Sequence, residues 1–519
     1  MTGYGVGNAE PDVTDLHLPL DRSAGRLAAQ IAAGFRAAIR SGRLAPGTRL
    51  PSSRDLSRDL DVSRGVVVAA YEQLVAEGFL LARRGDGTRV APLARPDEPP
   101  PPRLAPWDAA HTAPGPQPKA TVRRAPAVDA PSHGTGTAAA DEPAAAPRDT
   151  PFEFAYDLWP GLPDLSAFPR ARWLATTRAV LRDVPDEDLA YPDPAGVPAL
   201  RAALAAYLGR VRALHAEPRQ VLVMNGVAQG LAITVRLLAE EGHRVLAVED
   251  PTSVRQLPML EAAGMRLERV PVDRDGLDVD ALARTRARAV LVTPAHQYPT
   301  GVVMAPHRRA ALVAWARRTG GVILEDDYDA EFRYDRDPVG CIQGIAPEHV
   351  VLFGSVSKSL APAMRLGWAV APPHLAERLR AYRAHTDLGS PALEQHALAR
   401  FIADGGYDRH LRVMRRQYRS RRDALVTALR THVPDAVVRG ISAGIHLYLE
   451  LPRGCDEEAV VASAARAGVS VAGATPMWSS ARAGQATPAL VLGYARLPEE
   501  RLARAAELLG RAVTEGTGG

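Results

Sequence analysis

The feature that most constrains the fold of this 519-residue chain is a series of short, wholly apolar segments in its second half. A strand that is apolar on both faces must be covered on both faces, as in a parallel sheet between layers of helices. The segments are residues 221–223, 245–248, 289–292, 322–324 and 350–353, and helical patterns lie between them at 227–240, 254–263 and 307–318. We therefore predict an α/β domain over residues 151–515, with a mainly parallel sheet and ligands at the carboxyl ends of its strands.

Lysine usage singles out one residue of this domain. The chain has 63 basic residues but only two lysines, Lys119 and Lys358, so the other 61 are arginines. A guanidinium stays protonated and cannot attack a carbonyl, whereas a lysine amine can once its pKa is lowered. Lys358 follows the apolar segment 350–353, which favours a Schiff-base lysine and an aldehyde cofactor such as pyridoxal 5′-phosphate. The alternative is a surface lysine in a loop.

Polar motifs follow several of the other predicted strands. Asn225-Gly226 opens a helix, where backbone N–H groups receive phosphate. Asp326 follows another strand, and a carboxylate there can keep a pyridine nitrogen protonated while the phenol of Tyr328 bonds the ring oxygen. His296 lies in a polar turn after a third strand. The alternatives are a helix N-cap for Asp326 and a structural role for His296.

The N-terminal region, residues 15–92, has a different pattern. Three amphipathic helical segments precede a Gly85-Asp86-Gly87 turn between two short strands, with Ser63 predicted to cap the third helix. This order, with an excess of arginine, predicts a DNA-binding winged helix-turn-helix. The expected DNA contacts are Arg54, Ser63, Arg64, Arg83 and Arg84. A small helical interaction domain with solvated arginines is the alternative.

Composition separates the two regions and excludes some classes of protein. Residues 91–150 contain 14 prolines, so we expect 93–150 to be an extended or disordered linker. No apolar run reaches the roughly 18 residues of a membrane span, and no signal peptide is recognisable. Two cysteines give neither a disulfide framework nor zinc-ligand spacing, so we expect a cytoplasmic protein without a metal site.

The N-terminal motifs resemble those of the GntR-type winged helix. The matching residues are Ser41-Gly42-Arg43-Leu44, Leu50-Pro51-Ser52-Ser53-Arg54, Val62-Ser63-Arg64 and Ala76-Glu77-Gly78. The resemblance implies that Arg54 and Arg64 contact bases or phosphates. A polar residue common on the recognition helix of that family is replaced here by Val68.

The C-terminal region resembles fold-type I aminotransferases, which implies the same parallel sheet and a small C-terminal α+β subdomain. The resemblance assigns Lys358 to the covalent bond with the cofactor, Asp326 to its pyridine nitrogen and Tyr328 to its ring oxygen. The remaining cofactor contacts that it implies are Tyr298, Val227, Ala228, Ser355, Ser357 and Arg365. Tyr191, in a Tyr-x4-Gly motif, is similar to the residue that reaches the phosphate in the neighbouring subunit, which implies a homodimer.

The combination resembles the MocR/GabR family of bacterial regulators, which implies a transcription regulator that senses pyridoxal phosphate or an amine or amino acid. The alternatives are an active aminotransferase with an appended DNA-binding domain and a scaffold that has lost its cofactor. Two positions depart from the family pattern. Ser253 replaces a ring-stacking aromatic, and Val491 replaces a carboxylate-binding arginine, for which Arg255 or Arg496 are the candidate substitutes.

Overall fold

A computed structural model describes residues 18–23, 25–83, 87–91, 154–334 and 339–517. The linker 93–150 with Lys119, residues 84–86 of the predicted hairpin turn, and the side chain of Arg83 lie outside the described residues. Among the described helices, none is long and apolar enough to cross a membrane.

The N-terminal region forms the predicted winged helix. Its elements are α1 (Leu27–Arg40), α2 (Ser53–Asp59), α3 (Arg64–Glu77), β1 (Leu80–Arg83) and β2 (Gly87–Val90). Ile31, Phe35 and Leu74 are fully buried where α1 packs on α3. Helix α3 ends at Gly78, whose φ of 85° is accessible to glycine at little cost, and the antiparallel β1–β2 hairpin follows.

The N-cap residues of α2 and α3 differ in their hydrogen bonds. The Ser52 hydroxyl accepts a hydrogen bond from the backbone N–H of Asp55 and caps α2. Ser63 occupies the N-cap position of α3, but its side chain makes no cap hydrogen bond. Ser63 is therefore the N-cap residue that the sequence predicts, although its hydroxyl does not satisfy a backbone N–H group of the helix. The N-terminus of α3 is exposed, so water can satisfy its free N–H groups.

The C-terminal region is built around an eight-stranded sheet. Its strands are β4 (Val221–Met224), β5 (Val245–Asp250), β6 (Arg266–Asp273), β7 (Gly276–Leu277), β8 (Ala289–Val292), β9 (Val322–Asp326), β10 (Val350–Ser355) and β11 (Gly367–Val370). The strand order is β4-β11-β10-β9-β8-β5-β6-β7. The run from β10 to β6 is parallel, whereas β11 and β7 are antiparallel to their neighbours. The predicted mainly parallel sheet is confirmed.

Helices cover both faces of this sheet. The helices of this part of the chain are α4 (Arg170–Asp183), α5 (Pro198–Arg212), α6 (Val227–Glu240), α7 (Leu257–Ala262), α8 (Val279–Arg284), α9 (Pro306–Thr319), α10 (Pro373–Thr386) and α11 (Ala392–Ala403). Helix α4 packs on α11. Successive strand residues alternate between two cores. On β9, Ile323 packs with α9 on one face, and Leu324 packs with α6 and α10 on the other. Both faces are therefore apolar, which explains the unbroken apolar runs in the sequence.

A smaller subdomain completes the chain. It contains a four-stranded antiparallel sheet in the order β12-β13-β16-β15, and a short pair, β3 with β14, joins the start of the domain to this region. The elements are β3 (Tyr156–Asp157), α12 (Gly406–His432), β12 (Val437–Arg439), β13 (His446–Glu450), α13 (Glu457–Arg466), β14 (Val469–Ser470), β15 (Ala472–Gly473), α14 (Ser480–Ala483), β16 (Ala489–Gly493) and α15 (Glu499–Thr517). Strand β13 brings His446 to the edge of the candidate site.

Candidate functional site

The carboxyl ends of two neighbouring parallel strands bring the candidate site together. Phe353 on β10 pairs with Asp326, the last residue of β9. Ser355 ends β10, and Lys358 lies in the turn that follows. Residues that are far apart in sequence therefore meet at one edge of the sheet, as the positions of the polar motifs predict.

Lys358 is half-buried at this edge. Its Nζ donates a hydrogen bond of 2.5 Å to the carbonyl oxygen of Gly161, in the loop after β3. Burial lowers the pKa of Lys358, and the nearby carboxylates of Asp329 and Asp326 oppose that change. A lowered pKa increases the fraction of neutral amine, which is the nucleophilic form.

Asp326 has an open hydrogen-bonding position. Its Oδ2 accepts a long hydrogen bond of 3.4 Å from Nε2 of Gln256. Its Oδ1 is buried and has no hydrogen-bond partner among the described residues. Burial raises the pKa of Asp326 to about 7. A buried carboxylate oxygen without a partner is costly, and a protonated ring nitrogen would satisfy both its charge and its free acceptor. The buried, unpartnered oxygen of Asp326 therefore fits the protonated ring nitrogen of pyridoxal phosphate.

Tyr328 lies in a network of buried polar groups. Its hydroxyl donates to the carbonyl oxygen of His296 at 2.9 Å and lies 3.1 Å from Nδ1 of the same residue. That nitrogen also lies 2.9 Å from Oδ2 of Asp329. His446 packs beside His296, with ring centroids 4.9 Å apart, and its Nε2 lies 3.1 Å from the carbonyl oxygen of Pro299. The network fixes the orientation of the Tyr328 phenol.

The residues predicted to hold phosphate surround the start of α6. Val227 and Ala228 form its first turn after Gly226, whose φ is 84°. This positive φ favours glycine, and a Cβ at this position would lie 3.0 Å from the Arg365 guanidinium. Arg365 Nη2 donates to the carbonyl oxygen of Asn225 at 2.5 Å. Backbone N–H groups and a guanidinium thus converge here, as an anion site requires.

The two serines that are predicted to contact the phosphate lie at the end of β10 and in the turn after it. Ser355 is buried, and its Oγ accepts a hydrogen bond of 3.3 Å from the backbone N–H of Ser357. Ser355 ends β10, and Ser357 lies in the following turn beside Lys358.

Tyr298 and Val491 belong to one apolar cluster. Val491, on β16, is fully buried with Tyr448, Met477 and three alanines, and Tyr298 packs against this group. Burial raises the pKa of Tyr298 to about 12, so the phenol stays neutral at physiological pH. The position at which related enzymes carry a carboxylate-binding arginine is therefore apolar in this chain.

Arg255 and Arg496, the two candidate substitutes for the carboxylate-binding arginine, have different surroundings. Arg496 forms an ion pair with Asp157. Arg255 is exposed and makes no hydrogen bond or ion pair within the described part of the chain, and Ser253 lies two residues before it. Burial dominates the pKa values of Lys358 and Tyr298, but the charge of Arg255 acts on both. Arg255 is thus the arginine available to a ligand here.

Several contacts at the site were missed by the sequence analysis. Glu249 accepts hydrogen bonds from Thr293 and Gln297, and these bonds hold the turn that carries Tyr298. For Glu249, the Glu249-Asp250-Pro251 motif was a signal in the sequence that could have identified it. Gly161, Gln256 and His446 come from distant segments, and no local pattern marks them.

Two groups of predicted residues lie apart from this site. Tyr191 is 88% exposed and does not approach Lys358 within the chain. Arg54 and Arg64 are exposed at the start of α2 and α3, and Arg64 Nε donates to the Ser53 hydroxyl at 3.2 Å. An open cleft of about 1380 Å³ separates the winged helix from the larger domain, and Val68 and Glu72 of α3 line it.

Comparison with known families agrees with this architecture. Residues 27–90 match the family described as bacterial regulatory proteins, gntR family. Residues 172–507 match aminotransferase class I and II, a class that implies dependence on pyridoxal phosphate.

Individual relatives share both regions or the larger one alone. The chain is 34% identical to the probable rhizopine catabolism regulatory protein MocR of Rhizobium meliloti, over 87% of each chain. It is 32% identical to the pyridoxine biosynthesis transcriptional regulator PdxR of Corynebacterium glutamicum, over 91% of this chain and 93% of that one. Among solved structures, the α-aminoadipate aminotransferase LysN of Thermus thermophilus is similar, with 27% identity and a TM-score of 0.62 over 69% of this chain and 92% of that one.

The buried carboxyl groups predict how stability depends on pH. Burial raises the pKa values of Asp326, Glu249 and Glu325 to about 7. The folded protein then holds protons that the unfolded chain has released, so stability should fall as pH rises from about 4 through about 7. We expect Asp326→Asn to reduce this slope in cofactor-free protein, measured as the urea midpoint at each pH.

The matched control is Asp435→Asn, because Asp435 is an exposed carboxyl group on a turn. It should leave the slope unchanged. Equal slopes for the wild type and both variants would contradict a buried, protonated Asp326.

Proposed function

Because the chain belongs to the MocR/GabR family of DNA-binding transcription regulators, which join a GntR winged helix to an aminotransferase-like domain, we propose that it senses pyridoxal phosphate, or an amino compound that reacts with it, at Lys358. The observation that carries this proposal is the unpartnered, buried Oδ1 of Asp326 near the Lys358 amine. We assign residues 15–92 to DNA binding, 93–150 to the tether and 151–515 to the sensor.

The cofactor supplies an aldehyde that reacts reversibly with amines, on a ring that withdraws electrons when its nitrogen is protonated. Lys358 would provide the amine, and burial, which lowers its pKa, favours the neutral form. Asp326 would keep a proton at the ring nitrogen, and Tyr328 would have to turn its single hydroxyl proton from the carbonyl oxygen of His296 to donate to the ring oxygen. The residues that would hold the phosphate are Val227 and Ala228 through their amides at the start of α6, Ser355 and Ser357 through their hydroxyls, and Arg365 through its guanidinium.

An acid group on the effector would meet Arg255 rather than residue 491. The apolar cluster around Val491 offers no charge to a carboxylate, and burying one there without a partner is costly. Arg255 is close enough to affect Lys358, and its guanidinium has no partner among the residues that the structure describes. The effector class that fits is therefore an amine, or an amino acid whose acid group reaches toward solvent at Arg255.

A homodimer accounts for an otherwise unexplained apolar surface. Leu174 and Leu181 lie seven residues apart on one face of α4, and each is more than half exposed. Leu189 and Tyr191 extend the surface. In a dimer that covers it, Tyr191 would reach the phosphate site of the partner subunit. Light scattering of Leu181→Asp, compared with Val413→Asp on α12, tests this: only the first substitution should produce monomers.

An active aminotransferase is the second candidate, because Lys358, Asp326 and Tyr328 form the set that transamination also needs. The apolar surroundings of Val491 disfavour it, since such an enzyme must orient a substrate carboxylate. Repeated turnover of an amino donor and a keto acid would establish the enzyme. A single half-reaction, or none, is what a sensor requires.

We expect pyridoxal phosphate to give the visible absorption of a lysine-bound cofactor with the wild type but not with Lys358→Ala. The chain offers a matched control, because Lys119 is its only other lysine. Lys119→Ala should retain the absorption. If Lys358→Ala keeps the band, the cofactor is held elsewhere and the proposal fails.

The same titration identifies the effector class. Amino acids should shift the band at lower concentration with the wild type than with Arg255→Gln, whereas simple amines should not distinguish the two proteins. Equal responses to amino acids would remove Arg255 from the site.

We expect Arg64→Ala to weaken operator binding by about 1–3 kcal/mol, because Arg64 is exposed at the N-terminal end of α3, the end that enters the major groove in this class of domain. Fluorescence anisotropy with a labelled operator measures the change. Arg511→Ala, on the C-terminal helix α15, is the control. Unchanged affinity for Arg64→Ala would contradict α3 as the reading helix.

A further inference from the structure

One face of the small antiparallel sheet meets the candidate site. His446 and Tyr448 on β13 pair across the sheet with Gly493 and Val491 on β16. Residues that are paired in this way, and residues two positions apart on one strand, lie on the same face of a sheet. His446 packs on the His296 ring in the site. The side chain of position 491 therefore belongs to the face that meets the site.

The opposite face of the sheet belongs to the core of the domain. Its side chains, which alternate along the strands with those of the first face, are the buried leucines Leu447, Leu449, Leu490 and Leu492. The register of the strands is therefore fixed by burial. An arginine at position 491 would project toward the ligand, and this chain has a valine there.

The face that meets the site offers no available cation to an acid group. Among the four described strands of this sheet, Arg439 is the one cation on this face, because it is paired with Tyr448 across β12 and β13. Its guanidinium is already engaged, since it lies 2.7 Å from the carboxylate of Glu450. Burial lowers the pKa of His446 to about 3, so this ring is neutral at physiological pH. An acid group placed against this face would be buried without a partner, which is costly.

The loop after β3 places Trp159 beside this face. The backbone N–H of Gly493 donates to the carbonyl oxygen of Leu158 at 2.6 Å, and a Cβ on Gly493 would lie 2.6 Å from the carbonyl oxygen of Trp159. The loop is therefore held closely against the end of β16. Trp159 packs on the apolar cluster around Val491 and remains partly exposed.

Trp159 and Tyr298 form a wall of aromatic rings close to the reacting amine, which we call the aromatic wall. Two residues after Trp159, the carbonyl oxygen of Gly161 accepts the hydrogen bond from the amine of Lys358. Tyr298 packs on the same apolar cluster from the turn after β8. Its ring lies 6.2 Å from that of Tyr328, centroid to centroid, and is nearly perpendicular to it.

The aromatic wall is continuous with an open space. Tyr448 belongs to the apolar cluster and also lines the cleft of about 1380 Å³, together with Thr300, which is two residues from Tyr298. A bulky substituent that lies along the aromatic wall therefore has room to extend toward the cleft.

We propose that the effector of this chain is a primary amine with an aromatic substituent, and that Trp159 is the residue that selects this substituent. The inference rests on the proposed function, in which an amine reacts with the cofactor at Lys358, and adds the chemical class of the rest of the effector. An aromatic ring packs well against other aromatic rings and needs no charged partner. Its burial also removes more apolar surface from water than the burial of a small substituent does. Arg255 keeps its proposed role, because it lies outside this sheet.

The test titrates the full-length protein, loaded with pyridoxal phosphate, with phenethylamine and with ethanolamine. Ethanolamine carries a hydroxyl group in place of the ring, and its amine has a similar basicity. The midpoint is the concentration of amine at which half of the visible band has shifted. With the wild type, the midpoint for phenethylamine should be at least about 10-fold lower than that for ethanolamine.

Variants of Trp159 show whether this residue causes the preference. Trp159→Ala should reduce the ratio of the two midpoints at least about 5-fold by weakening the response to phenethylamine alone. Trp159→Phe is the matched control, because it keeps an aromatic ring and should retain the preference. The band recorded before amine is added reports whether the cofactor site is intact in each variant. Trp159→Leu takes the place of Trp159→Ala if that variant has no band.

Equal midpoints for the two amines with the wild type would overturn the proposed effector class. A ratio that stays at its wild-type value in Trp159→Ala would overturn the role of Trp159. Both results leave the cofactor site in place. A wild type that gives no band with pyridoxal phosphate would instead overturn the proposed function, and this inference with it.

Discussion

The burial of three consecutive carboxyl groups at the end of β9 is the constraint on which the rest of the structure depends. A buried carboxylate without partners is costly, so each needs its own solution. Glu325 accepts two backbone N–H groups, and Asp327 pairs with Arg212. Asp326 alone keeps an open acceptor. The contacts of Glu325 and Asp327 stabilise the domain, whereas the free oxygen of Asp326 can accept a hydrogen bond from a ligand.

Local patterns in the sequence were sufficient for much of the fold. Successive residues of β9 pack into the cores on opposite faces of the sheet, so both faces of the strand are apolar. This continuous apolar run identified β9 as part of a parallel sheet that is covered on both faces. Gly78 marked the end of α3 because its positive φ suits glycine. Lys358 and Asp326 could be placed at one edge because parallel strands end together. Ser63 occupies the predicted N-cap position, although its side chain makes no cap hydrogen bond.

Contacts between distant segments could not be predicted in the same way. Gly161 meets Lys358, and His446 meets His296, only because β3 and β13 fold back on the large domain. Neither residue has a local signature, since a glycine carbonyl and a buried histidine occur in many settings. The sequence did show that Val491 departs from the family pattern. Only the packing showed that this position is enclosed by apolar side chains.

The near absence of lysine has a consequence for selectivity. Aldehydes react with any accessible amine, and a protein surface rich in lysine would present many competing sites. This chain carries its positive charge on arginine, which does not form such adducts, so besides its amino terminus it offers an aldehyde only Lys119 and Lys358. A receptor of this composition can be exposed to excess aldehyde and still respond mainly through one site. The use of arginine in place of lysine thus limits side reactions with aldehydes and still supplies positive charge.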